Sequence, residues 1–144
     1  MSKPKTFEKP MGFQDYPPHL VLKKRALEQQ VAKRFRLWGY QEVITPTLEF
    51  YETVGQASAI TDEKMFKCMD RKGNTLVLRP DQTAPIARMA SSVLKEESLP
   101  IRLFYHANVF RAQELEAGRN AEFFQSGVEL IGDGSPEADA EVIA

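Results

Sequence analysis

Cysteine is nearly absent from the sequence: Cys68 stands alone, so the chain has no second thiol with which to close a disulfide. That usage fits a reducing compartment, and no Cys/His cluster has the spacing of a metal site. No metal and no cofactor is expected. The opening stretch "MSKPKTFEKP" lacks the apolar core of a signal peptide. No apolar run approaches the ~20 residues needed to cross a membrane. These absences predict a soluble, cytoplasmic protein without membrane contact. An excess of one charge is missing too, with a net charge of −1 and a pI near 6.2. A surface built chiefly to grip nucleic acid needs a basic excess, so nucleic acid is not an expected partner. The sequence has no G-x-x-x-x-G-K-[ST], no G-x-G-x-x-G, no H-E-x-x-H and no G-x-S-x-G. Each of those signatures carries a defined chemistry, and none is available here. No catalytic residue is assigned, and no internal repeat or long linker is visible.

What is present suits one globular domain. The 144 residues are 42% hydrophobic and 27% charged, and a chain of this size buries roughly 68–70% of its unfolded surface. Residues 1–10 read as a mobile Lys/Pro-rich arm and 11–144 as the domain. "GFQDYPP" (12–18) is loop-like. Residues 19–38 are the clearest helix, with Leu20, Leu27, Val31, Phe35 and Trp38 as its apolar face and Gly39 as its C′ residue. "YQEVIT" alternates as a strand does, and Pro46 ends it. Residues 47–64 read as loop and short helix.

"MFKCM" and "TLVLR" flank "DRKGN", which predicts a β-hairpin with Gly73 at positive φ. Cys68 falls in its first strand and reads as a packed thiol. After Pro80, "QTAPIARMASSVLKE" is helical, with Pro85 in the first turn where proline is tolerated. "IRLFYHANVFR" and "EFFQSGVELIG" are long strands, and the polar loop between them is short enough to make them antiparallel neighbours. Ser135, Pro136 and Glu137 fit the N-cap and first turn of a last helix, "PEADAEVIA". That helix reaches Ala144 without a C-cap signal, which predicts a domain truncated at its C-terminal side.

The chemistry concentrates in two places. "LRPDQTAPIAR" (78–88) sets Arg79, Asp81 and Thr83 at alternate positions of a strand-to-helix junction. Either the turn satisfies its own backbone, or these groups face a small charged ligand. In the last strand Gln125 and Glu129 share a face with Gly127 between them. An amide and a carboxylate flanking a gap can hold a ligand rich in donors; a solvated face with a bulge is the alternative. Arg111 and Arg119 bracket the intervening loop. They can clamp a carboxylate or phosphate, or pair with Glu114, Glu116 or Glu122. His19 and His106 have no triad partners at a recognisable spacing and read as structural.

Together these segments resemble class II aminoacyl-tRNA synthetases. "WGYQEVITPTLE" resembles motif 1, a helix and strand at the dimer interface. "VFRAQELEAGRNAEFFQSGVELIG" resembles motif 2. "LRPDQTAPIAR" and "PMGFQDYPP" resemble segments of histidyl-tRNA synthetases, and the match runs from about residue 10 to 144. The resemblance implies an α/β (α+β) fold with a mainly antiparallel sheet flanked by helices, of which this is the N-terminal portion. Two families share the layout: the synthetases, and the synthetase-like regulatory subunit of ATP phosphoribosyltransferase. The wording resembles the second. Asp81 stands where the synthetases have glutamate, and Gln113 replaces the motif 2 glutamate used in ATP binding. An amide in place of a carboxylate removes a charge-assisted acceptor.

The resemblance implies that Asp81, Thr83 and Gln125 hold the amino end of histidine and that Glu129 lines the pocket near the imidazole. It implies that Arg111 and Arg119 meet a carboxylate or phosphate. It also implies a catalytic phosphoribosyltransferase subunit as partner and a homodimer through residues 19–50. The motif 3 arginine of the family is absent from these residues.

Overall fold

The structure is a computed structural model and describes residues 8–112 and 120–144. Residues 1–7 of the expected arm lie outside the described residues, as do Gln113, Glu114, Glu116 and Arg119. Helix α1 spans Pro18–Leu37, β1 Gln41–Glu42 and β2 Leu48–Phe50. A π-helical turn over Tyr51–Gly55 and a 3-10 turn over Asp62–Lys64 lead to β3 (Lys67–Met69) and β4 (Thr75–Leu78). Then come α2 (Thr83–Ser92), β5 (Ile101–Phe110), β6 (Glu122–Ile131) and α3 (Pro136–Ile143).

The strands form two three-stranded sheets. One has the order β1-β5-β6, with β1 parallel to β5 and β5 antiparallel to β6. The other has the order β2-β4-β3 and is antiparallel throughout. The β3–β4 hairpin turns at Gly73, whose φ of +86° is open to glycine at no steric cost.

Period-two alternation gives the β5–β6 pair two different faces. Phe104 is fully buried on one face, in a cluster with Ala32 and Tyr40, against which Phe35, Val128 and Leu130 pack. Burying a side chain such as Phe104 contributes about 2–3 kcal/mol. α1 therefore covers this face. α3, capped by the Ser135 hydroxyl, is tied to β5 by a bidentate Arg102–Glu141 pair at 2.7 and 2.8 Å. The other face carries Leu103, Tyr105, Gly127 and Glu129, and there α2 meets the sheet through Thr83.

Four expectations are corrected. The buried side of α1 is set by Ala32 and Phe35, whereas Leu20, Leu27 and Trp38 are 40%, 62% and 55% exposed. Periodicity reports that a helix has an apolar side; it does not say which part of that side a neighbour covers. The strand expected at 40–45 is limited to Gln41–Glu42, although the Val43 N–H still donates to the Phe104 carbonyl at 2.9 Å. Within the segment read as loop, Leu48–Phe50 is a strand; its partner β4 is remote in sequence and supplies a ladder that local composition does not announce. Cys68 is exposed on edge strand β3 and is not a packed thiol.

Arg79 joins the two sheets. Its residue follows β4, and its guanidinium turns inward to donate to the carbonyls of Thr45 at 2.6 Å, Pro46 at 3.3 Å and Asn108 at 2.9 Å. A further bond reaches Asn108 Oδ1 at 2.8 Å. The backbone adds Arg79 N–H to Thr47 O and Phe110 N–H to Arg79 O, at 3.0 and 3.1 Å. Arg79 is 6% exposed, and burial pulls its pKa down while the charge of Glu49 opposes that pull. A planar fork with five donors can serve several carbonyls at once, which an ammonium cannot. Arg79→Lys is therefore expected to cost about 3 kcal/mol, by loss of charged hydrogen bonds to acceptors left buried. Urea denaturation of the two proteins measures this; an unchanged midpoint contradicts it.

Candidate functional site

The site begins at the end of β4. Once Arg79 has turned inward, Pro80 and Asp81 emerge at the start of α2, and Pro85 sits in the first helical turn, where its missing N–H costs little. Asp81 Oδ1 accepts the Ala84 N–H at 3.2 Å, and the Ser58 hydroxyl donates to Asp81 Oδ2. Gln82 is buried and accepts from the Thr45 hydroxyl at 2.9 Å. Thr83 donates to Glu129 Oε1 at 2.8 Å, which links α2 to β6. Arg111, just after β5, donates through Nε to the Pro80 carbonyl at 2.9 Å, and its guanidinium carbon lies 5.2 Å from the Phe123 ring centroid.

A cleft of about 550 Å³ opens here, between α2 and the 53–60 segment. Val54, Ser58, Asp81, Thr83, Arg88 and Arg111 are among its lining residues. Arg88 is itself fixed from behind by a bidentate pair with the buried Glu49 at 3.0 and 2.8 Å, which holds α2 on β2.

The structure thus brings Asp81, Thr83 and Arg111 into one cleft, and Glu129 joins them through Thr83. Glu129 and Gln125 share a strand face, and neither is among the residues that line the cleft itself. Of the two readings of the junction, that of a group facing a ligand does not hold for Arg79. Its guanidinium instead points into the protein and serves the backbone, because alternate positions share a face only while the chain stays extended. Arg119 lies outside the described residues.

The space above Gly127 also has a different use from the one expected. Tyr105 is paired with Gly127 across the strands, and a Cβ on Gly127 would sit 2.6 Å from the Tyr105 hydroxyl. The glycine makes room for this ring, as aromatics do over strand glycines. Tyr105 and Ser58 were missed as site residues. The strand register would have found Tyr105, since it sets an aromatic opposite the glycine. Ser58 lies in irregular backbone and has no comparable signal.

Burial pushes the Glu129 carboxyl above its ordinary range; the Thr83 hydroxyl works against that, and the nearby Asp81 charge adds to it. The Tyr105 phenol is raised by burial first, then by Glu129 and Asp81, and is held back by Arg111. Asp81, Tyr105, Arg111 and Glu129 therefore share one electrostatic neighbourhood. Among the described residues neither Asp81 nor Glu129 makes an ion pair within 4 Å. Two half-buried carboxylates in one neighbourhood favour a ligand with positive or hydrogen-donating groups, while Arg111 suits a carboxylate.

This arrangement of sheets and helices is that of the class II synthetase fold. A family model described as histidyl-tRNA synthetase matches residues 12–144. The chain belongs to the histidyl-tRNA synthetase family. It is 56% identical over 144 residues to a protein of Halalkalibacterium halodurans named ATP phosphoribosyltransferase regulatory subunit, covering 100% of this chain and 36% of that protein. A protein of the same name from Geobacillus thermodenitrificans is 59% identical over 138 residues, covering 96% and 35%. A crystal structure of an ATP phosphoribosyltransferase regulatory subunit/histidyl-tRNA synthetase from Bacillus halodurans superposes with a TM-score of 0.91 at 55% identity, over 98% of this chain and 36% of that one. Apo histidyl-tRNA synthetase of S. aureus gives 0.77 at 29% identity, over 94% and 32%. The chain spans about a third of the length of the relatives it matches.

The Glu129 environment sets a pH dependence. A carboxyl whose folded pKa lies above its unfolded value binds more protons in the native state, so stability falls as pH rises through that window. The penalty is absent below the ordinary value of 4.5 and complete above the raised one. Glu129→Gln removes the charge and keeps an acceptor for Thr83. It is expected to raise the thermal midpoint at pH 7 to 8 and to leave it unchanged at pH 4. Calorimetric melting across pH checks this; equal midpoints at pH 8 contradict it.

Proposed function

We propose that the protein is a non-catalytic regulatory subunit required by the short form of ATP phosphoribosyltransferase for the first step of histidine biosynthesis, and that it senses histidine in this cleft. The observation that carries the reading is the contrast in identity. The chain is 56–59% identical to proteins named as that regulatory subunit and 29% identical to the S. aureus synthetase. The cleft supports the sensing part. Asp81 offers an acceptor to the ammonium group of histidine, Glu129 an acceptor to its imidazole, and Arg111 donors to its carboxylate. Thr83, whose hydroxyl donates to Glu129, keeps lone pairs that accept from the ligand. In this reading Gln125, which stands outside the lining of the cleft in the free protein, closes on the amino end when histidine binds, and Arg119 adds a second cation for an anion. Bound histidine can regulate only if one assembly state binds it better than the other.

Homodimer formation through residues 19–50 belongs to the same reading. Leu22, Ile44 and Phe50 are 72%, 84% and 51% exposed within that span, an amount of apolar surface that suits an interface. The catalytic subunit is the second partner, the setting is cytoplasmic, and neither a membrane nor nucleic acid is involved.

Two assays test the proposal together. The intact protein should raise ATP phosphoribosyltransferase activity of the short catalytic subunit, and histidine should reduce that activity. Asp81→Ala should weaken histidine binding at least ~10-fold, the loss of one charged hydrogen bond. Histidine-dependent ATP–pyrophosphate exchange, with no effect on the phosphoribosyltransferase, would instead make the protein a synthetase.

A further inference from the structure

We infer that Ser58 is a positioning residue for Asp81: its hydroxyl fixes the carboxylate in the orientation that receives an amino group. The inference rests on the cleft being an amino-acid site, and it goes beyond that reading because nothing in the motif comparison points to Ser58.

Asp81 has two oxygens and only two described partners. On one side the Ala84 N–H, part of the first turn of α2, donates to Oδ1. That bond anchors one oxygen and leaves the carboxylate free to swing about its terminal torsion, which is broad and roughly two-fold. The Ser58 hydroxyl on Oδ2 removes this freedom. Its own direction is set by a second bond: the Ile60 N–H donates to Ser58 Oγ at 3.1 Å. With that N–H on the oxygen, the hydroxyl proton is left for Asp81. Ser58 is placed in turn by its N–H, which donates to the Val54 carbonyl at 3.0 Å, and Val54 is 1% exposed. The chain of bonds runs from buried backbone to Ser58 to Asp81 and ends at the cleft, which both Ser58 and Asp81 line.

A carboxylate with two oxygens has about four acceptor positions. Two are filled from within the protein, which leaves about two for a ligand in the cleft that Asp81 lines. An ammonium group binding there meets a carboxylate whose plane is already set, so it does not lose affinity to ordering that side chain. A ligand without an ammonium group gains nothing from this. That difference separates positioning of Asp81 from a general structural role of the 51–60 segment.

The experiment titrates the intact protein calorimetrically with histidine, with histamine, which keeps the ammonium group, and with imidazolepropionate, which lacks it. Unaltered protein, Ser58→Ala and Ser58→Thr are compared. Ser58→Ala is expected to weaken histidine and histamine by about 5–10-fold, the effect of one hydrogen bond. It should leave imidazolepropionate unchanged, and Ser58→Thr, which keeps the hydroxyl, should restore histidine binding to within about two-fold. Equal losses for all three ligands, or no loss for any, overturn the positioning role while leaving the site intact. Binding of none of the three by the unaltered protein overturns the reading of the cleft, and the role of Ser58 with it.

Discussion

A guanidinium taken out of water must find acceptors for most of its five N–H groups, and Arg79 finds them in the backbone. It spans the carbonyls of Thr45 and Pro46, ahead of β2, and Asn108 in β5. One side chain thereby ties the end of β4 to two segments remote from it in sequence, the 45–46 stretch ahead of β2 and strand β5 of the other sheet. The direction in which the chain leaves β4 follows from this. Pro80 and Asp81 come out on the cleft side, α2 starts at Thr83, and Arg111 can reach back to the Pro80 carbonyl. Removing the charge would leave buried carbonyls without donors, and the site would lose its floor before it lost any group that touches a ligand.

The site built on this junction is acidic in its inner part and basic at Arg111. Burial and proximity raise Glu129, so the free protein holds unfavourable charge that a ligand with donors can relieve. Binding sites commonly carry such local cost, and stability lost there is recovered elsewhere. Here the Arg88–Glu49 and Arg102–Glu141 pairs anchor α2 and α3 with bidentate geometry, the first at the rim of the cleft that Arg88 lines and the second on the opposite face of the sheet. Pairs that close on themselves stabilise the frame, while Asp81 lines the cleft and Glu129 is bonded to Thr83, neither with an ionic partner among the described residues.

Much of this was legible in the residues. Gly39 at a helix end, Gly73 in a hairpin, Pro85 in a first turn and Ser135 as a cap each impose a local geometry that tertiary contacts did not override. The long strands β5 and β6 paired as their connection required. Of the residues singled out by motif, Asp81, Thr83 and Arg111 line one cleft, and Glu129 is bonded to Thr83. The failures share a cause. The role of Arg79, the strand at Leu48–Phe50, the exposure of Cys68 and the seat of Tyr105 over Gly127 all depend on partners far along the chain. Composition carries no record of which remote strand supplies a ladder or which carbonyls surround a charge. Ser58 was invisible for a different reason, since a small polar residue in irregular backbone has no pattern to break.

The account stands on one geometric claim, that the junction after Arg79 presents Asp81 and Glu129 to the same small ligand. A crystal structure of the intact protein with histidine tests it most directly. The account predicts the ammonium group within hydrogen-bond distance of Asp81, the imidazole against Glu129 and the carboxylate toward Arg111. Histidine bound elsewhere, or in the cleft with its ammonium group away from Asp81, would contradict it.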